Sequence, residues 1–264
     1  MTSLEEPVHL YAIGTAGSGK TRFASAFQRY LTQGGHGSVV VNLDPGAEQL
    51  PYAPDVDIRD WIVLGDVMDK YQLGPNGAQV VAADLLALRA EEIREAIESF
   101  RTDYVIFDTP GQTELFVFRE SGRALLDAIG RERAMVAFLV DPFLAKHPSS
   151  FVAQLMLSAT VNFRFGLPTA NVLTKTDLIP EADAEKLLRW AAEPDELMTA
   201  LLEERPDLYV QLTTDLAKVL EGMSGGVRMI GASSETLEGM EDVYAHAQNI
   251  VLGGEDLETG TRGD

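Results

Sequence analysis

Short, unbroken apolar runs recur along the chain, and each ends in a polar turn. Runs of this kind, without alternating polar positions, are typical of parallel strands that are buried on both faces. They predict strands at residues 8–13, 38–43, 104–107, 134–140 and 170–173, with a weaker one at 227–230. Polar residues follow these runs, at the strand ends where open α/β sheets bind ligands.

Between these runs, apolar residues recur at the spacing of amphipathic helices. The pattern predicts helices at residues 21–31, about 59–71, about 78–100 and about 235–252, and a helical segment at 178–224 with breaks at Pro194 and Pro206. Strands that alternate with helices predict an α/β fold, with a mainly parallel sheet and helices on both faces.

The alternation of strands and helices covers residues 1–252, which we interpret as a single domain. Two helical insertions lengthen this domain, at about 59–101 and at about 178–224. The final residues, 253–264, are polar and rich in glycine, and we expect a disordered tail there.

The loop after the first predicted strand has the spacing G-x-x-x-x-G-K-[ST] of a phosphate-binding loop. It consists of Gly14, Thr15, Ala16, Gly17, Ser18, Gly19, Lys20 and Thr21. Backbone N–H groups in such a loop, and the helix N-terminus behind it, attract phosphate. We expect Lys20 to bridge the β- and γ-phosphates of a nucleotide and the Thr21 hydroxyl to bind Mg²⁺. The motif therefore predicts a P-loop NTPase fold.

The charge and composition exclude several other classes of protein. The formal net charge of −20 argues against a nucleic-acid surface, because phosphate backbones need Lys and Arg. No run approaches the ~18 apolar residues that a membrane helix needs. The acidic start of the chain lacks the basic and apolar parts of a signal peptide, so we expect a cytoplasmic protein. The absence of Cys excludes disulfides and thiolate metal sites.

The polar turn after the predicted strand at 104–107 carries a second group of candidate residues. Asp108 can hold Mg²⁺ through a water, the Gly111 N–H can sense a γ-phosphate, and Gln112 can orient the attacking water. The alternative is an ordinary strand-to-turn junction, since Pro-Gly pairs are common in turns. The presence of the phosphate-binding loop in the same chain favours the functional interpretation.

The turn after the strand at 170–173 has the form [NT]-K-x-D and predicts which base is bound. Asp177 can accept hydrogen bonds from N1–H and N2–H₂ of guanine, whereas adenine would leave the charge unpaired. Thr174 begins the motif, and the stem of Lys175 can lie along the base plane. The backbone N–H of Ala232, after the last predicted strand, can support the base or simply cap a helix.

Two further segments are weaker when taken alone. Asp44 ends the second strand and can position the water or touch the metal's shell, but it can equally open an Asp-Pro turn. Gly74, Pro75 and Asn76 join two predicted helices at a rigid tip, since Gly frees φ and Pro fixes it. The Asn76 amide could donate to a phosphate without adding charge, although such a tripeptide is more often a plain turn.

Taken together, these residues make the chain resemble a GPN-loop GTPase over about residues 8–252. The resemblance depends on six segments in order: the phosphate-binding loop, Asn42-Leu43-Asp44-Pro45, Asp57-Ile58-Arg59, Gly74-Pro75-Asn76, Asp108-Thr109-Pro110-Gly111-Gln112 and Thr174-Lys175-Thr176-Asp177. The Gly-Pro-Asn segment gives the family its name, so the resemblance favours a functional role for it.

The resemblance implies a homodimer of the SIMIBI class of P-loop proteins. In the GPN-loop GTPase family, the Gly-Pro-Asn loop of one subunit reaches into the nucleotide site of the other. The resemblance would therefore place Asn76 near the γ-phosphate. Eukaryotic members are implicated in the assembly and nuclear import of RNA polymerase, which implies a protein client. The functions of archaeal-like members are less well assigned, and this chain resembles those members. Thr15 departs from the wider class, in which many relatives carry a signature Lys at that place.

We therefore expect a dimeric, Mg²⁺-dependent GTPase that hydrolyses GTP to GDP and phosphate. The expected catalytic residues are Asp44, Asn76, Asp108 and Gln112. Two alternatives stay open. One is an assembly factor whose nucleotide state gates a partner surface, with little hydrolysis of its own. The other is a small-molecule kinase built on the same loop. The motifs that contain Gln112 and Asp177 argue against this kinase.

The scarcity of Lys, together with the negative net charge, predicts that the stability of the protein depends on salt. Only six of the 21 basic residues are Lys, and an acidic, Lys-poor surface resembles those of proteins from salt-loving organisms. Dissolved salt screens the self-repulsion of such a surface. We therefore expect the midpoint of thermal unfolding to rise between low and molar KCl. A midpoint that stays flat or falls would exclude this adaptation.

Overall fold

A parallel β-sheet forms the centre of the fold. The computed structural model describes residues 6–204, 215 and 229–251. The strands in these residues are β1 (Val8–Gly14), β2 (Ser38–Asn42), β3 (Val56–Asp57), β4 (Tyr104–Asp108), β5 (Ala134–Val140), β6 (Thr169–Leu173) and β7 (Met229–Gly231). They pair in parallel in the order β3-β2-β4-β1-β5-β6-β7. The predicted α/β class and the five clear predicted strands are confirmed.

Helices cover both faces of the sheet. Those in the described residues are α1 (Lys20–Gln33), α2 (Leu64–Tyr71), α3 (Pro75–Ala87), α4 (Ala90–Glu98), α5 (Thr113–Phe116), α6 (Glu120–Ile129), α7 (Pro148–Phe165), α8 (Glu181–Ala192), α9 (Pro194–Glu204) and α10 (Met240–Val251), with short 3₁₀ turns at Ile58–Asp60 and Thr176–Leu178. The helices α1 and α10 pack on one face of the sheet. The helices α2 to α9 pack on the other face.

Alternation along the central strand divides the core into two layers. Tyr11 and Ile13 of β1 face the layer that contains α2 to α9. Leu10 and Ala12 face the layer that contains α1 and α10. Every residue of β1 is buried, which explains why this strand has an unbroken apolar run in the sequence instead of an alternating pattern.

The helices predicted at 59–71 and 78–100 differ from the observed ones in their boundaries. The first is shorter, because the 3₁₀ turn Ile58–Asp60 precedes α2. The second is two helices, α3 and α4, because Arg89 leaves the helical path with φ −109° and ψ 8°. The helix α3 also begins earlier than predicted, at Pro75, since the first helical N–H needs no partner and Pro fits that position.

Several elements leave no clear pattern in the sequence. The strand β3 has only two residues, which is too short for a periodicity. The helices α5, α6 and α7 follow the polar turns after β4 and β5 and are not predicted either. The last helix begins at Met240 instead of 235, because a tight turn precedes it. In that turn Gly239 has φ +76°, and an added Cβ would lie 1.9 Å from the Gly231 carbonyl oxygen.

Some predictions lie outside the described residues. These are the break at Pro206, the end of the helical segment at 224, the start of the strand at 227 and the tail at 253–264. In the part of the chain that the structure describes, no helix combines the length and the apolar character needed to cross a membrane.

The strand order brings the candidate residues together. The central strand β1 lies between β4 and β5, so that Ala12 pairs with Asp108 and Gly14 pairs with Leu139. The strand β2 lies beyond β4, and β6 lies beyond β5. The loops after β1, β2, β4 and β6 therefore meet at the carboxyl edge of the sheet, where ligands bind in open α/β folds.

Candidate nucleotide-binding site

Glycine residues allow the tight path of the phosphate-binding loop. Gly17 and Gly19 have φ values of 79° and 99°, in the left-handed region that favours glycine. Gly14 has no room for a side chain, since a Cβ there would lie 2.6 Å from the Leu139 carbonyl oxygen. The loop ends at Gly19, directly before α1, so the free N–H groups of the first helical turn can face an anion.

Lys20 connects two loops of the site. Its buried ammonium donates hydrogen bonds to the carbonyl oxygens of Gly14 at 2.8 Å, Thr15 at 3.0 Å and Gly111 at 2.9 Å. Gly111 belongs to the loop after β4, so one side chain joins both loops. Burial lowers the pKa of Lys20 to about 8, an effect that the nearby Asp108 carboxylate partly opposes.

The Asp108 carboxylate is almost fully buried, with 1% of the residue exposed. Its Oδ1 accepts a hydrogen bond from the Thr21 hydroxyl at 3.3 Å, and its Oδ2 accepts one from the Tyr52 hydroxyl at 2.8 Å. Burial raises the pKa of Asp108 to about 6, although these two hydrogen bonds and the Lys20 ammonium lower it. The fold thus buries a carboxylate that a nearby cation would stabilise.

The pair formed by Thr21 and Asp108 suits Mg²⁺. Hydroxyl and carboxylate oxygens are hard ligands, and Mg²⁺ takes one or two of them while it keeps water and phosphate oxygens in its shell. Among residues 6–204, 215 and 229–251, no group of three or more His, Cys, Asp or Glu side chains could hold a metal ion by itself. The oxygens of Thr21 and Asp108 fit a cation that takes its remaining ligands from phosphate and water.

The Asp44 carboxylate connects the turn after β2 to the loop after β4. Its Oδ1 accepts a hydrogen bond from the Gly46 N–H at 2.9 Å, and its Oδ2 accepts one from the Gly111 N–H at 3.0 Å. Asn42 supports the turn, since its amide oxygen accepts from the Asp44 N–H at 3.0 Å. The Gly111 N–H, which is predicted to sense a γ-phosphate, therefore already contacts a carboxylate of the chain.

Gln112 lines a cleft of about 370 Å³ beside the phosphate-binding loop. Thr15 and Ala16 of that loop line the same cleft. Gln112 is exposed and directly precedes α5. The next residue, Thr113, donates its hydroxyl to the Gly14 carbonyl oxygen at 2.6 Å. This bond fixes the start of α5 against β1, so Gln112 is held next to the loop with its side chain open to solvent.

The loop after β6 is tied to the phosphate-binding loop. The Thr174 hydroxyl donates to the Ser18 carbonyl oxygen at 2.8 Å, and the Lys175 ammonium donates to the Gly17 carbonyl oxygen at 2.7 Å. Lys175 has a left-handed φ of 57°, and its ammonium also pairs with the Asp141 carboxylate at 2.8 Å. Two residues that are predicted to bind the base thus also join the two loops.

Asp177 and Ala232 differ in accessibility. Asp177 lies in the 3₁₀ turn after β6 and is exposed, so its carboxylate is open to a ligand. Ala232 is buried, and its N–H donates to the Leu173 carbonyl oxygen at 2.8 Å. This bond continues the pairing of β7 with β6, which leaves no free N–H at Ala232 to support a base.

The Gly-Pro-Asn segment lies between two helices, α2 and α3, as predicted, but its last two residues already belong to α3. Gly74 precedes the helix, Pro75 is its first residue, and Asn76 lies exposed in its first turn. The expectation that Gly74 needs the freedom of glycine is wrong, because its φ of −73° is open to any residue. An added Cβ would meet nothing within 4 Å. Nothing in the described part of the chain therefore requires Gly at position 74.

Three side chains shape the site without belonging to any of the predicted motifs. They are Tyr52, which holds Asp108, Thr113, which holds the start of α5, and Asp141, which pairs with Lys175. Asp141 directly follows a predicted strand, and that position alone is a usable signal. Tyr52 lies in a loop without a spacing pattern, so only the folded chain shows that it meets Asp108.

The fold and the phosphate-binding loop define a P-loop protein of the α/β class. A family model described as a conserved hypothetical ATP-binding protein matches residues 12–252. A GPN-loop GTPase of Pyrococcus abyssi is 33% identical over 233 residues, which cover 88% of this chain and 92% of the relative. The chain belongs to the GPN-loop GTPase family.

Two further comparisons agree with this family. GPN-loop GTPase 1 of Dictyostelium discoideum is 28% identical over 243 residues, which cover 91% of this chain but only 60% of that longer relative. The crystal structure of a GTPase in apo form from Pyrococcus abyssi matches with a TM-score of 0.81 at 31% identity. This match covers 92% of the present chain and 97% of the solved one, so the likeness extends over nearly the whole fold.

Replacing Asp108 with Asn should stabilise the protein without ligand in a pH-dependent way. Below about pH 4, the carboxyl group is protonated in both the folded and the unfolded chain. Above a pH of about 6, only the folded chain keeps this charge away from water, so Asp108 lowers stability there. At ~1.4 kcal/mol per pKa unit, the rise of about two units corresponds to about 3 kcal/mol, so we expect Asp108→Asn to raise the free energy of unfolding by about 3 kcal/mol at pH 8.

Urea unfolding between pH 4 and pH 8 measures this effect. The gain from Asp108→Asn should grow as the pH rises through that range. Asp69→Asn changes an exposed carboxylate in α2 and is the matched control. A gain that is equal at both ends of the range would show that burial does not raise the pKa of Asp108.

Proposed function

We propose that this protein is a homodimeric, Mg²⁺-dependent GTPase that hydrolyses GTP to GDP and phosphate, and whose nucleotide state gates the binding of a protein client. One observation carries the proposal. Lys20, Thr21 and Asp108 meet at the carboxyl edge of the sheet, beside Asp44 and Gly111. The family supports the reaction class, since its named members are GTPases.

The phosphate-binding loop and Lys20 would hold the phosphates. Backbone N–H groups at the N-terminus of α1 donate to phosphate oxygens, and the Lys20 ammonium adds a positive charge beside them. Thr21 and Asp108 would hold Mg²⁺, which neutralises charge on the phosphate oxygens when it is bound. These local groups are needed because a net charge of −20 repels a polyphosphate from the rest of the surface.

Asp44 would position the attacking water. In the structure its Oδ2 accepts the Gly111 N–H at 3.0 Å. A γ-phosphate carries more negative charge and competes for the same donor, because charged acceptors form the stronger hydrogen bonds. Its arrival would release the Asp44 carboxylate, which could then accept a hydrogen bond from water. Gln112, next to Gly111 and open to solvent, would orient the same water.

Asp177 would select guanine. Its exposed carboxylate can accept two hydrogen bonds from the guanine edge, and each such bond to a charged group contributes ~1.5–3 kcal/mol. Adenine has no amine at C2 and carries an acceptor at N1, so it would leave the carboxylate unpaired. Thr174 and Lys175 fix this loop to the phosphate-binding loop, and one connected unit would therefore contact both base and phosphates.

A second subunit would complete the site through Asn76. Asn76 is exposed at the start of α3, and an added Cβ at Gly74 would face open space. A close approach by another molecule would give Gly74 a purpose that its own chain does not. The family resemblance suggests that this molecule is a second copy of the chain. The neutral Asn76 amide would then donate a hydrogen bond to the γ-phosphate of the nucleotide bound by that copy. Thr15 occupies the position at which many relatives in the wider class carry a Lys that acts across the dimer.

The client and the place of action follow from resemblance and charge. The resemblance suggests that the client is linked to assembly of RNA polymerase, and the net charge of −20 disfavours direct contact with nucleic acid. We propose that the protein acts in the cytoplasm.

The bond between Asp44 and Gly111 favours a switch as the second candidate function, in which slow hydrolysis only resets the client-binding state.

Phosphate release with and without cell extract distinguishes these candidates. Fast release by the protein alone supports the enzyme, and release that depends on extract supports the switch. Transfer of phosphate to an acceptor other than water would overturn both in favour of a small-molecule kinase.

Replacing Asp177 with Asn should move the base preference from guanine to xanthine. Xanthine carries an oxygen at C2, which the Asn amide can donate to, while the guanine amine loses its acceptor. We expect the affinity for GDP to fall by about ten-fold to 100-fold, in line with one to two charged hydrogen bonds. Calorimetric titration with GDP and xanthosine diphosphate measures both effects. Asp183→Asn in α8, also exposed, is the control and should change neither affinity.

Two variants test whether Asn76 works across a dimer. Asn76→Ala should keep its GTP affinity within a few-fold but hydrolyse slowly, and Lys20→Ala should lose phosphate binding. When the two chains are co-expressed in equal amounts, about half of the dimers are mixed and hold one intact site, which restores about a quarter of the wild-type activity. If Asn76 acts within its own chain, the mixture will be as inactive as its components.

A further inference from the structure

The loop between β2 and β3 carries a tyrosine that reaches into the candidate metal site. The Tyr52 hydroxyl donates to Oδ2 of Asp108 at 2.8 Å. The Tyr52 ring packs against the core layer that contains α1 and α10. A ring that is held by the core gives its hydroxyl a fixed position, so this hydrogen bond is not a chance contact of a mobile loop.

The loop that carries Tyr52 is itself fastened at its end. The Asp55 carboxylate accepts hydrogen bonds from the Val40 N–H at 2.8 Å and from the Gln28 side chain at 3.3 Å. The Asp55 N–H returns a bond to the Val40 carbonyl oxygen at 2.9 Å. Pro51 on the other side of Tyr52 has a restricted φ. Tyr52 is therefore held by its ring, by the neighbouring backbone and by its hydroxyl.

The orientation of the Asp108 carboxylate decides which oxygen meets a cation. Asp108 ends β4, and the terminal torsion of an Asp side chain has a broad, two-fold preference that does not fix the carboxylate by itself. The Tyr52 hydroxyl holds Oδ2, which leaves Oδ1 directed at the Thr21 hydroxyl, 3.3 Å away. Burial and the adjacent carboxylate raise the pKa of Tyr52, so that the phenol keeps its proton and acts as the donor.

We propose that Tyr52 is a positioning residue for the metal site, which holds the Asp108 carboxylate with Oδ1 facing Thr21. This inference rests on the proposed Mg²⁺ dependence. Tyr52 touches neither the nucleotide phosphates nor the water in this assignment and acts only through Asp108. The same bond joins the loop after β2 to the end of β4, so the carboxylate is oriented by a segment that also carries Asp44.

Tyr52→Phe removes the hydroxyl and keeps the ring that packs in the core. If Tyr52 only contributes packing, this change leaves ligand binding as it was. If it orients Asp108, the change weakens the part of GDP binding that depends on Mg²⁺ and leaves the part measured in EDTA unchanged. We expect the GDP affinity in Mg²⁺ to fall by about ten-fold, the loss of about one charged hydrogen bond.

Calorimetric titration of GDP, in Mg²⁺ and in EDTA, provides the readout without any turnover. Tyr71→Phe in α2 is the matched control, since Tyr71 is exposed and the side-chain hydrogen bonds to the Asp108 carboxylate come from Thr21 and Tyr52. The change should also vanish in an Asp108→Asn background, because the oriented charge is then absent. The unfolding midpoint of each variant shows that the compared proteins are folded.

The outcomes separate this inference from the proposed function. If wild-type GDP affinity is equal in Mg²⁺ and in EDTA, the proposed metal dependence fails, and the inference falls with it. If the wild type depends on Mg²⁺ and Tyr52→Phe depends on it equally, only the role of Tyr52 is overturned. An effect of Tyr52→Phe that persists at full size in the Asp108→Asn background would also overturn that role.

Discussion

A buried ammonium group needs several acceptors at once, and this need shapes the site. Lys20 meets it with three carbonyl oxygens, two from its own loop and one from the loop after β4. A charge removed from water without such partners would cost several kcal/mol. The central strand must therefore lie next to β4, and the path of the loop must allow Gly14 to face Lys20. The strand order, the placement of the glycines and the position of Asp108 all agree with this arrangement.

Burial disfavours the charged forms of both Lys20 and Asp108, which favours a ligand that carries opposite charges. Burial lowers the pKa of Lys20 to about 8 and raises the pKa of Asp108 to about 6. Each charged form is therefore less stable in the fold than in water, although each partly supports the other. A bound phosphate and cation would supply opposite charges to both groups. Functional sites commonly keep such unfavourable groups at a cost in stability.

Much of the fold could be predicted from the sequence, because buried parallel strands have unbroken apolar runs and the phosphate-binding loop has a fixed spacing. The boundaries of the helices around Pro75 and Arg89 could not, since they depend on local backbone angles within an apolar stretch. The β3 strand was equally hidden, because its two residues are held by pairing with β2.

The candidate site was predictable where the end of a strand also carried a recognisable motif, as for Asp108 and Asp177. It was not predictable where the contact joins distant segments without a motif. Tyr52 meets Asp108 across 56 residues of sequence, and no local pattern signals that meeting. The predicted use of the Ala232 N–H did not allow for strand pairing, which engages that group with Leu173.

The hydrogen bond between Asp44 and Gly111 also bears on how different the affinities for substrate and product can be. Under the proposed function, GTP would have to displace this 3.0 Å contact, whereas GDP has no γ-phosphate and would leave it in place. A bond to a charged acceptor contributes ~1.5–3 kcal/mol, and this free energy opposes the binding of GTP alone. If the γ-phosphate takes this donor, the lost bond would lower the affinity for GTP relative to that for GDP by about ten-fold. Such a penalty would make the proposed nucleotide state depend on the ratio of GTP to GDP more than on the amount of either nucleotide.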